Sequence, residues 1–590
     1  MSGIRGRGCR VRIGRRRALS GLLALSVVSL SAAVGSAGWA ASSPLVGPNA
    51  SVPPAHCGPG SVPEHGVQGE VPLKDRQDGR SQLGYRCNLV LIGQHQGQGA
   101  GWQNAWYGHC DYYDTKTSVD PTKFPDGGGN GQISPGTQVI DVSNPARPRL
   151  TVNLDTPALD GPWESLKVNQ KRGLLAGVGG FGGDVAGPLY FDVYNVKTDC
   201  AHPTLDASVP MDIPNGHEGN WAPDGMTYYG TNLAGGLSAA IDVSNPRSPR
   251  VVTVGQPGGC LVNHGLSLSD DGDTLYLACI DPEGLDIVDT TAIQNRTPGA
   301  TFGASTSTLT WSDGSTGQVP IPVSYGGHAY VLFVDEGGGS CCGTGTDGTS
   351  ASVLDTTGVP AGAARIIDIA NPAAPKIVSV LRLAIQTPKY AKQNQADIAG
   401  DGSFGYEAHY CAVDREHNPT AAACGYFQSG IRVFDIRNPY QPHEIAYFNP
   451  PAQVAKHGQL PGSEHDGGPN NSQPPNMTAD WCSSQIRFFT ATDGSHELWA
   501  QCQDNGFMVL KFTNGAYPLS ALPAAARTVT VSPKALAPEA VLAVKLTSTQ
   551  SGSLPKTGGP VWLAQWALIS VAAGLALLWG AYRGGTRRAG

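Results

Sequence analysis

The sequence predicts an all-β protein, a seven-bladed β-propeller, and three observations support this prediction. A phrase of apolar residues, an aspartate and Asn-Pro recurs along the chain, turn-forming residues separate short apolar runs, and Gly and Pro are frequent, with 78 and 45 copies in 590 residues. Each copy of such a phrase is a unit that needs neighbours to bury its apolar face. No 3.6-residue apolar period runs through the units, so a helical solenoid is disfavoured.

The recurring phrase defines the units of the ring. Four full copies occupy 139–148, 240–249, 366–375 and 433–442, and a looser copy occupies 287–290. The apolar residues suit a buried strand, and the Asn-Pro that follows ends it, because proline donates no hydrogen bond to a sheet. With degenerate copies included, the aspartate position marks seven units, at Asp141, Asp192, Asp242, Asp289, Asp368, Asp435 and Lys511.

The N-terminal end of the repeat region predicts how the ring closes. Residues 88–93 resemble the strand that follows an Asn-Pro phrase, although no phrase precedes them, and the seventh unit at 506–512 runs into the tail almost at once. We therefore expect residues 86–95 to complete the last blade, which removes an exposed sheet edge.

The chain begins with a predicted signal peptide over residues 1–41. Seven arginines precede an apolar run from Ala18 to about Val34, and small residues follow at 36–41. That order is typical of secretory signals. The paired arginines also permit a twin-arginine signal, and the sequence leaves the two export routes open.

The C-terminus predicts attachment to the cell envelope. An apolar stretch over 561–582 is long enough to span a bilayer as a helix, and Arg583, Arg587 and Arg588 follow it. Ahead of the stretch stand Leu554, Pro555, Lys556, Thr557 and Gly558. The region 554–590 resembles a sortase cell-wall sorting signal. The resemblance implies cleavage between Thr557 and Gly558 by a sortase and attachment of Thr557 to peptidoglycan, with an uncleaved membrane anchor as the alternative.

The repeated phrase resembles that of the LVIVD-repeat family, and the resemblance covers residues 86–515. It implies an extracellular or periplasmic β-propeller and no particular activity. Residues 42–85 are rich in proline and glycine and are predicted to be irregular, whereas 516–553, rich in Ala, Pro, Ser and Thr, read as a stalk.

Cysteine usage agrees with export. Outside the signal peptide twelve cysteines remain, an even number that indicates disulfides. Plausible local pairs are Cys260 with Cys279, Cys411 with Cys424, and Cys482 with Cys502. The adjacent Cys341 and Cys342 are either a vicinal disulfide, a redox-labile site or two cysteines that pair elsewhere. A formal charge of −7 without a basic cluster outside the termini argues against a nucleic-acid partner.

Histidines supply one lead on function. His217, His264 and His409 precede the marker aspartates of their units by 25, 25 and 26 residues, and His328 precedes Asp368 by 40. If all four begin the channel-lining first strands, they can converge on copper or zinc. The alternative is a hydrogen bond to the aspartate within each blade, repeated because the blade is repeated.

Two functions follow as expectations. The first is an exported, envelope-anchored propeller that binds an extracellular protein, glycan or small ligand without catalysis. The second is a metal-dependent oxidoreductase, with copper as one candidate metal, that uses a histidine-lined central channel.

Overall fold

The computed structural model describes residues 50–115, 136–179, 189–211, 213, 216–232, 236–311, 316–336, 361–398, 404–453, 460, 462–463, 479–520 and 522. The chain separates into two units, 1–530 and 531–590, and the first contains the sheets. The predicted signal peptide, the pentapeptide at 554–558, the apolar stretch at 561–582 and the pair Cys341–Cys342 lie outside the described residues. Within them, no helix has the length and apolar character needed to cross a bilayer.

Seven antiparallel sheets form the seven blades, as predicted. Blade 1 contains β3 (Asn104–Tyr107), β4 (Cys110–Tyr113), β5 (Thr137–Asp141) and β6 (Arg149–Leu154). Blade 2 contains β7 (Lys167–Asn169), β8 (Leu174–Val178), β9 (Leu189–Asn195) and β10 (Thr204–Met211). Blade 3 contains β11 (Gly219–Trp221), β12 (Thr227–Thr231), β13 (Ser238–Asp242) and β14 (Arg250–Gly255). Blade 4 contains β15 (Val262–Leu268), β16 (Thr274–Asp281), β17 (Gly284–Asp289) and β18 (Ser305–Thr310).

The remaining blades follow the same order. Blade 5 contains β19 (Thr316–Tyr325), β20 (His328–Glu336), β21 (Arg365–Asp368) and β22 (Lys376–Val380). Blade 6 contains β23 (Cys411–Val413), β24 (Ala421–Gly425), β25 (Ile431–Asp435) and β26 (His443–Asn449), with β1 (Tyr85–Cys87) as a fifth, outer strand. Blade 7 contains β27 (Arg487–Thr490), β28 (His496–Cys502) and β29 (Gly506–Phe512). First strands of neighbouring blades contact one another, so they line the centre of the ring.

The ring closes as the sequence predicts. Strand β2 (Leu89–His95) pairs antiparallel with β29 and becomes the outer strand of blade 7, with Leu89 opposite Phe512. This pairing supplies the last blade with the strand that its own C-terminal sequence lacks, and it removes a free edge.

One β-bulge recurs in all seven blades, always between the third and the fourth strand. It lies directly before the marker position, where the extra residue bends the strand and increases its twist. In blade 2 the bulge register places Asn195, and not the predicted Asp192, at the marker position. Asp192 is instead fully buried and accepts hydrogen bonds from the backbone N–H groups of Ala158 and Leu159.

The marker aspartates cap the turn that follows their strand. A side-chain oxygen of Asp242 accepts the N–H of Ser244 at 3.0 Å, and Asp141 accepts that of Ser143 at 2.9 Å. This local bond is the Asx turn that Asn-Pro phrases favour. The phrase therefore encodes a strand end, which is why it is copied almost unchanged.

The segment before the ring packs along blade 6. It contains α1 (Leu73–Gln77) and the 3-10 turn Arg80–Leu83, and its carboxylate Glu64 forms a 2.9 Å ion pair with the buried Arg432. Other short helical elements are α2 (Thr291–Gln294), α3 (Ala391–Ile398) and the 3-10 turns Ala384–Gln386 and Pro388–Tyr390. The predicted irregular segment thus contains short ordered elements.

Five disulfides are present among the described residues. Three are the predicted pairs, Cys260–Cys279, Cys411–Cys424 and Cys482–Cys502, each of which joins neighbouring parts of one blade. The other two are Cys57–Cys87 and Cys110–Cys200, and they join segments that are further apart in the sequence.

Candidate functional site

Five consecutive blades each place one metal-binding side chain at the same mouth of the channel. Three are histidines near the start of the first strand in blades 3, 4 and 6, and two are glutamates from blades 2 and 5. In blade order the residues are Glu164, His217, His264, Glu336 and His409. We call these five residues the channel cluster.

The side-chain atoms of the channel cluster converge closely. The Nε2 atoms of His217 and His264 are 2.9 Å apart, and Glu164 Oε2 lies 3.1 Å from the first and 3.6 Å from the second. The Nε2 atom of His409 lies 2.8 Å from the other oxygen of Glu164. Glu336 completes the group, with its oxygens 3.2 Å from His264 Nε2 and 3.6 Å from His409 Nε2. The ligand atoms form two overlapping groups, Glu164–His217–His264 and Glu164–Glu336–His409, and within each group they lie within 4.8 Å of one another.

Backbone carbonyls fix the orientation of two of the rings. The Nδ1 atom of His409 lies 2.8 Å from the carbonyl oxygen of Ser483, and Nδ1 of His264 lies 3.2 Å from that of Gln318. A carbonyl only accepts, so each Nδ1 must be the donor. Each Nε2 is then directed at the centre, as in protein metal sites where the second ring nitrogen is held by a partner.

The channel cluster is buried, and its carboxylates and imidazoles are in direct contact. Burial alone would lower the pKa of His409, but attraction and hydrogen bonds from Glu164 and Glu336 raise it to about 9. Burial also acts to lower the pKa of His264, but attraction from Glu336 and Glu164 outweighs it. The pKa of His264 therefore lies well above its usual value. Burial would raise the pKa of Glu336, but His264 lowers it to about 2. These shifts show that the carboxylates and imidazoles of the cluster stabilise one another's charged forms.

A second layer lies beside the channel cluster. Glu218, which is fully buried, has one oxygen 3.5 Å from His264 Nδ1 and the other 3.6 Å from Lys167 Nζ. Lys167 also donates to the backbone oxygen of Glu164 at 3.0 Å and lies over the ring of Tyr410 at 5.0 Å. The layer contributes one further carboxylate and one buried ammonium next to the two glutamates of the cluster.

Aromatic rings occupy the rest of this mouth. Blades 7 and 1, which give no member of the channel cluster, place a tryptophan shortly before their first strands, Trp481 and Trp102. Together with these, Trp163, Phe404 and Phe427 form one apolar cluster. We call these five residues the aromatic wall.

His328, the fourth histidine of the predicted set, lies elsewhere. His328 begins β20, whereas Glu336 ends the same strand. The Nε2 atom of His328 is 2.9 Å from an oxygen of Asp368. The strand register places Asp368 opposite Tyr330, two residues along from His328. Blade 5 therefore contributes Glu336 to the channel mouth, and its histidine pairs with the marker aspartate at the other end of the strand.

The other three histidines lie at the opposite end of their blades from the marker aspartates. His217 donates its backbone N–H to Thr231, which ends β12, while Asp242 pairs with Thr227 at the other end of that strand. His409 is related in the same way to Gly425, and Asp435 to Ala421. Their side chains point to the channel cluster, so the predicted hydrogen bond within each blade describes His328 only.

Glu164 was not predicted. It stands three residues before β7, and an isolated bridge pairs its backbone with that of Glu218 in the next blade. Glu164 lies 31 residues before the marker Asn195, and the cluster histidines lie 25 or 26 residues before theirs, so counting back from the markers does not find it. Of the nearby carboxylates, Glu336 joins the site, whereas Asp335 pairs with Arg365 and Glu407 accepts the N–H of Gly405.

Two further groups of possible ligands exist among the described residues. Asp270, Glu416 and His417 are exposed, and the last two line a cavity of about 420 Å³ that also contacts the channel-lining strands through Trp106 and Ile321. His109 lies 3.6 Å from Cys200 Sγ, but this sulfur is in the disulfide with Cys110. Neither group equals the channel cluster in burial or in number of ligand atoms.

Known proteins show only a distant structural likeness to this chain. No protein-family model matches the chain, and no curated protein matches it. Solved structures that are similar include a candidate 6-phosphogluconolactonase from Bacteroides fragilis, with a TM-score of 0.39 and 9% identity over 65% of this chain and 91% of that one. A second from Bacteroides uniformis has a TM-score of 0.38 and 10% identity over 65% and 92%. The number of blades is established by the strand pairing described above.

Proposed function

We propose that this protein is a metalloprotein that binds one transition-metal dication at the channel cluster, and that the metal supports oxidoreductase chemistry. The observation that carries the proposal is that three imidazoles and two carboxylates from five blades form two overlapping, buried groups that share Glu164. Without a metal, the raised pKa values of His264 and His409 let imidazolium charges compensate the buried carboxylates, and a metal dication would replace those protons.

The nature of the ligands selects the metal. Imidazole and carboxylate together suit copper, zinc, iron or manganese as dications, whereas thiolate sites are typical of Cu(I). The ten cysteines that the structure describes are in disulfides. Three carboxylates and one ammonium, Glu164, Glu218, Glu336 and Lys167, leave two negative charges when the histidines are neutral. A dication balances them.

Metal analysis of the folded protein tests the proposal. The protein is equilibrated with an equimolar mixture of manganese, iron, copper and zinc salts, the excess is removed, and bound metal is counted by mass spectrometry. We expect about one metal per chain, and we expect His264→Ala to lose it because His264 contacts four of the other charged groups. His328→Ala is the matched control, since it removes a histidine from the same ring outside the cluster.

Two results would refute the metal centre. One is a folded wild-type protein without bound metal, and the other is a metal content that His264→Ala leaves unchanged. Identification of copper or iron would favour redox chemistry, whereas zinc alone would favour a hydrolytic or structural role.

A binding role without catalysis is the second candidate. The cavity of about 420 Å³ between Trp106, Ile321, Val413 and Gln485 favours it, because these residues come from four blades and surround one concave site. A small ligand, glycan or protein side chain of an extracellular partner would be bound there. Retained ligand binding after metal removal would support this role.

We also propose that the ring is displayed on the cell envelope. The predicted signal at 1–41, the LPKTG pentapeptide and the LVIVD-like repeat support export and sortase-dependent attachment to peptidoglycan. Thr557→Ala is expected to shift the protein from the cell-wall to the membrane fraction in a sortase-containing host. An unchanged distribution would contradict sortase processing and favour an uncleaved membrane anchor.

A further inference from the structure

The aromatic wall adjoins the histidines of the channel cluster. The ring of His409 lies 5.4 Å from that of Trp102 and 5.1 Å from that of Phe427, and the ring of Trp163 lies 6.1 Å from that of His217. Trp102 and Trp163 also contact each other, with centroids 5.5 Å apart. The wall is thus in contact with the same imidazoles that face the proposed metal.

The five rings differ in accessibility. Trp102, Phe427 and Trp481 are buried, whereas Trp163 and Phe404 are half-buried. The buried rings support the half-buried ones, because Phe404 stacks on Phe427 at 4.3 Å and Trp163 packs on Trp102. A ligand that reaches this mouth therefore meets supported aromatic surface next to the imidazoles.

One polar atom in the wall has no partner. Trp102 is 7% exposed, and its indole Nε1–H donates no hydrogen bond to any residue that the structure describes. A buried donor without an acceptor is destabilising. Buried tryptophan normally finds an acceptor for this group, so an acceptor atom from a ligand is a fitting complement.

The backbone at two wall positions is unusual. Trp163 has a φ of 52° and Phe427 a φ of 35°, in a region that bulky side chains rarely adopt. The other described non-glycine residues with positive φ are three asparagines and Arg296. Strain of this type persists where the surrounding structure imposes it, and it is concentrated at binding sites.

We propose that the channel mouth binds a planar aromatic or conjugated organic molecule that carries an oxygen acceptor. Its ring stacks on Trp163, and its oxygen accepts the Nε1–H of Trp102. The molecule then lies against the aromatic wall, beside the channel cluster. The proposal rests on the proposed metal function for its catalytic meaning, since it names the substrate class of the same site, but binding to the wall needs no metal.

The test uses 2-naphthol as the probe, with its saturated counterpart decahydro-2-naphthol as the control ligand. Binding is measured by calorimetry and by quenching of tryptophan fluorescence, with metal-loaded and with EDTA-treated protein. We expect saturable binding of 2-naphthol that is about tenfold weaker in Trp163→Ala, because a stacked ring is lost. We expect it to be about fivefold weaker in Trp102→Phe, which keeps the ring and removes the donor.

Matched variants distinguish the wall from the second cavity and from a loss of folding. Trp106→Ala removes a tryptophan at the 420 Å³ cavity and should leave the affinity for 2-naphthol unchanged. Trp163→Phe keeps an aromatic ring and should retain most of the binding if Trp163→Ala proves unstable in thermal melts.

Three outcomes would overturn the proposal. They are absent binding of 2-naphthol, equal binding of the saturated alcohol, and a loss of affinity that follows Trp106→Ala instead of the wall variants. Metal uptake without 2-naphthol binding would refute this inference alone. Binding of 2-naphthol by a protein that takes up no metal would refute the metal centre and retain the aromatic site.

Discussion

The seven marker positions and the seven channel positions occupy opposite ends of the same blades. The residue type is nearly constant at the marker positions and differs between blades at the channel positions. Five of the markers are aspartates that each accept the N–H two residues further on, as Asp141 does in blade 1 and Asp435 in blade 6. The channel ends present glutamate, histidine or tryptophan according to the blade. The similar residues at the marker end each cap the turn of their own blade, whereas the different residues at the channel end contact one another.

This contrast separates architecture from function. A residue that solves a problem local to each blade is copied with the blade, because every strand end needs the same turn. A residue that contributes to one shared centre needs no copy, because the ring has only one axis. The variable positions of a repeat protein of this type therefore indicate the site.

The largest expected effect is at the channel end. Glu164 contacts all three histidines of the cluster, at 3.1, 3.6 and 2.8 Å. Glu164→Gln keeps the size and removes the charge, so we expect metal affinity to fall by about 100-fold or more. Competition with a fluorescent chelator measures the affinity. Glu407→Gln, a nearby buried glutamate outside the cluster, should retain metal, and equal losses in both variants would contradict the assignment.

Substitution at the marker end should act on stability alone. Asp242 accepts the N–H of Ser244 and pairs with Arg250 and Arg296 at 3.0 and 3.1 Å. We expect Asp242→Ala to lower the free energy of unfolding by about 2 kcal/mol, with metal content unchanged. Chemical denaturation and metal counting test both parts. A loss of metal from the folded variant would show that the two ends are coupled.

The same aspartate gives the marker end a pH dependence. Burial alone would raise the pKa of Asp242, but hydrogen bonds from Ser244 and Arg296 lower it to about 2. A lowered carboxyl pKa stabilises the fold at pH values above the ordinary value of about 3.8, and this contribution disappears as the pH falls from there to about 2. Wild type should lose up to about 2 kcal/mol relative to Asp242→Asn over that range. The prediction is wrong if the free energy of unfolding changes equally in wild type and in Asp242→Asn between pH 3.8 and pH 2.

The smallest effect is expected for His328→Ala. His328 and Asp368 are 18% and 23% exposed, and their pair replaces the arginine contact that Asp141 makes in blade 1. Partly exposed pairs contribute little, so the free energy of unfolding should fall by less than about 1 kcal/mol. Thermal melts measure this, and metal content should not change. A larger loss of metal than of stability would place His328 in the site after all.

The fold was predictable because its signals are repeated. Four near-identical phrases gave the strand ends, and the missing outer strand of blade 7 was visible as an unpaired strand sequence at residues 88–93. The exception is blade 2, where the sequence pattern points to Asp192 although Asn195 occupies the marker position. Repetition could not correct this error, since asparagine caps a turn as well as aspartate does.

The site was predictable only in part. Counting back from the markers found His217, His264 and His409, because no long insertion separates these residues from their aspartates. In blade 5 the same count crossed residues 337–360, which lie between β20 and β21, so it selected His328 and passed over Glu336 as the channel residue. The number of residues between two positions does not reveal which end of a strand lies at the channel cluster. Glu164 had no repeated partner and is one of 47 acidic residues.

The closing strand has a consequence for the order of events during synthesis. Leu89 is made early and its partner Phe512 late, so the ring stays an open arc until nearly the whole repeat region has left the ribosome. All five residues of the channel cluster lie between these two strands in the sequence, in blades 2 to 6, and closure joins blade 7 to blade 1. If the cluster holds a metal and the chain is exported, as proposed, the ions of the compartment where the first and last strands meet would have first access to the site. Export before or after that meeting would then decide which metals compete for it.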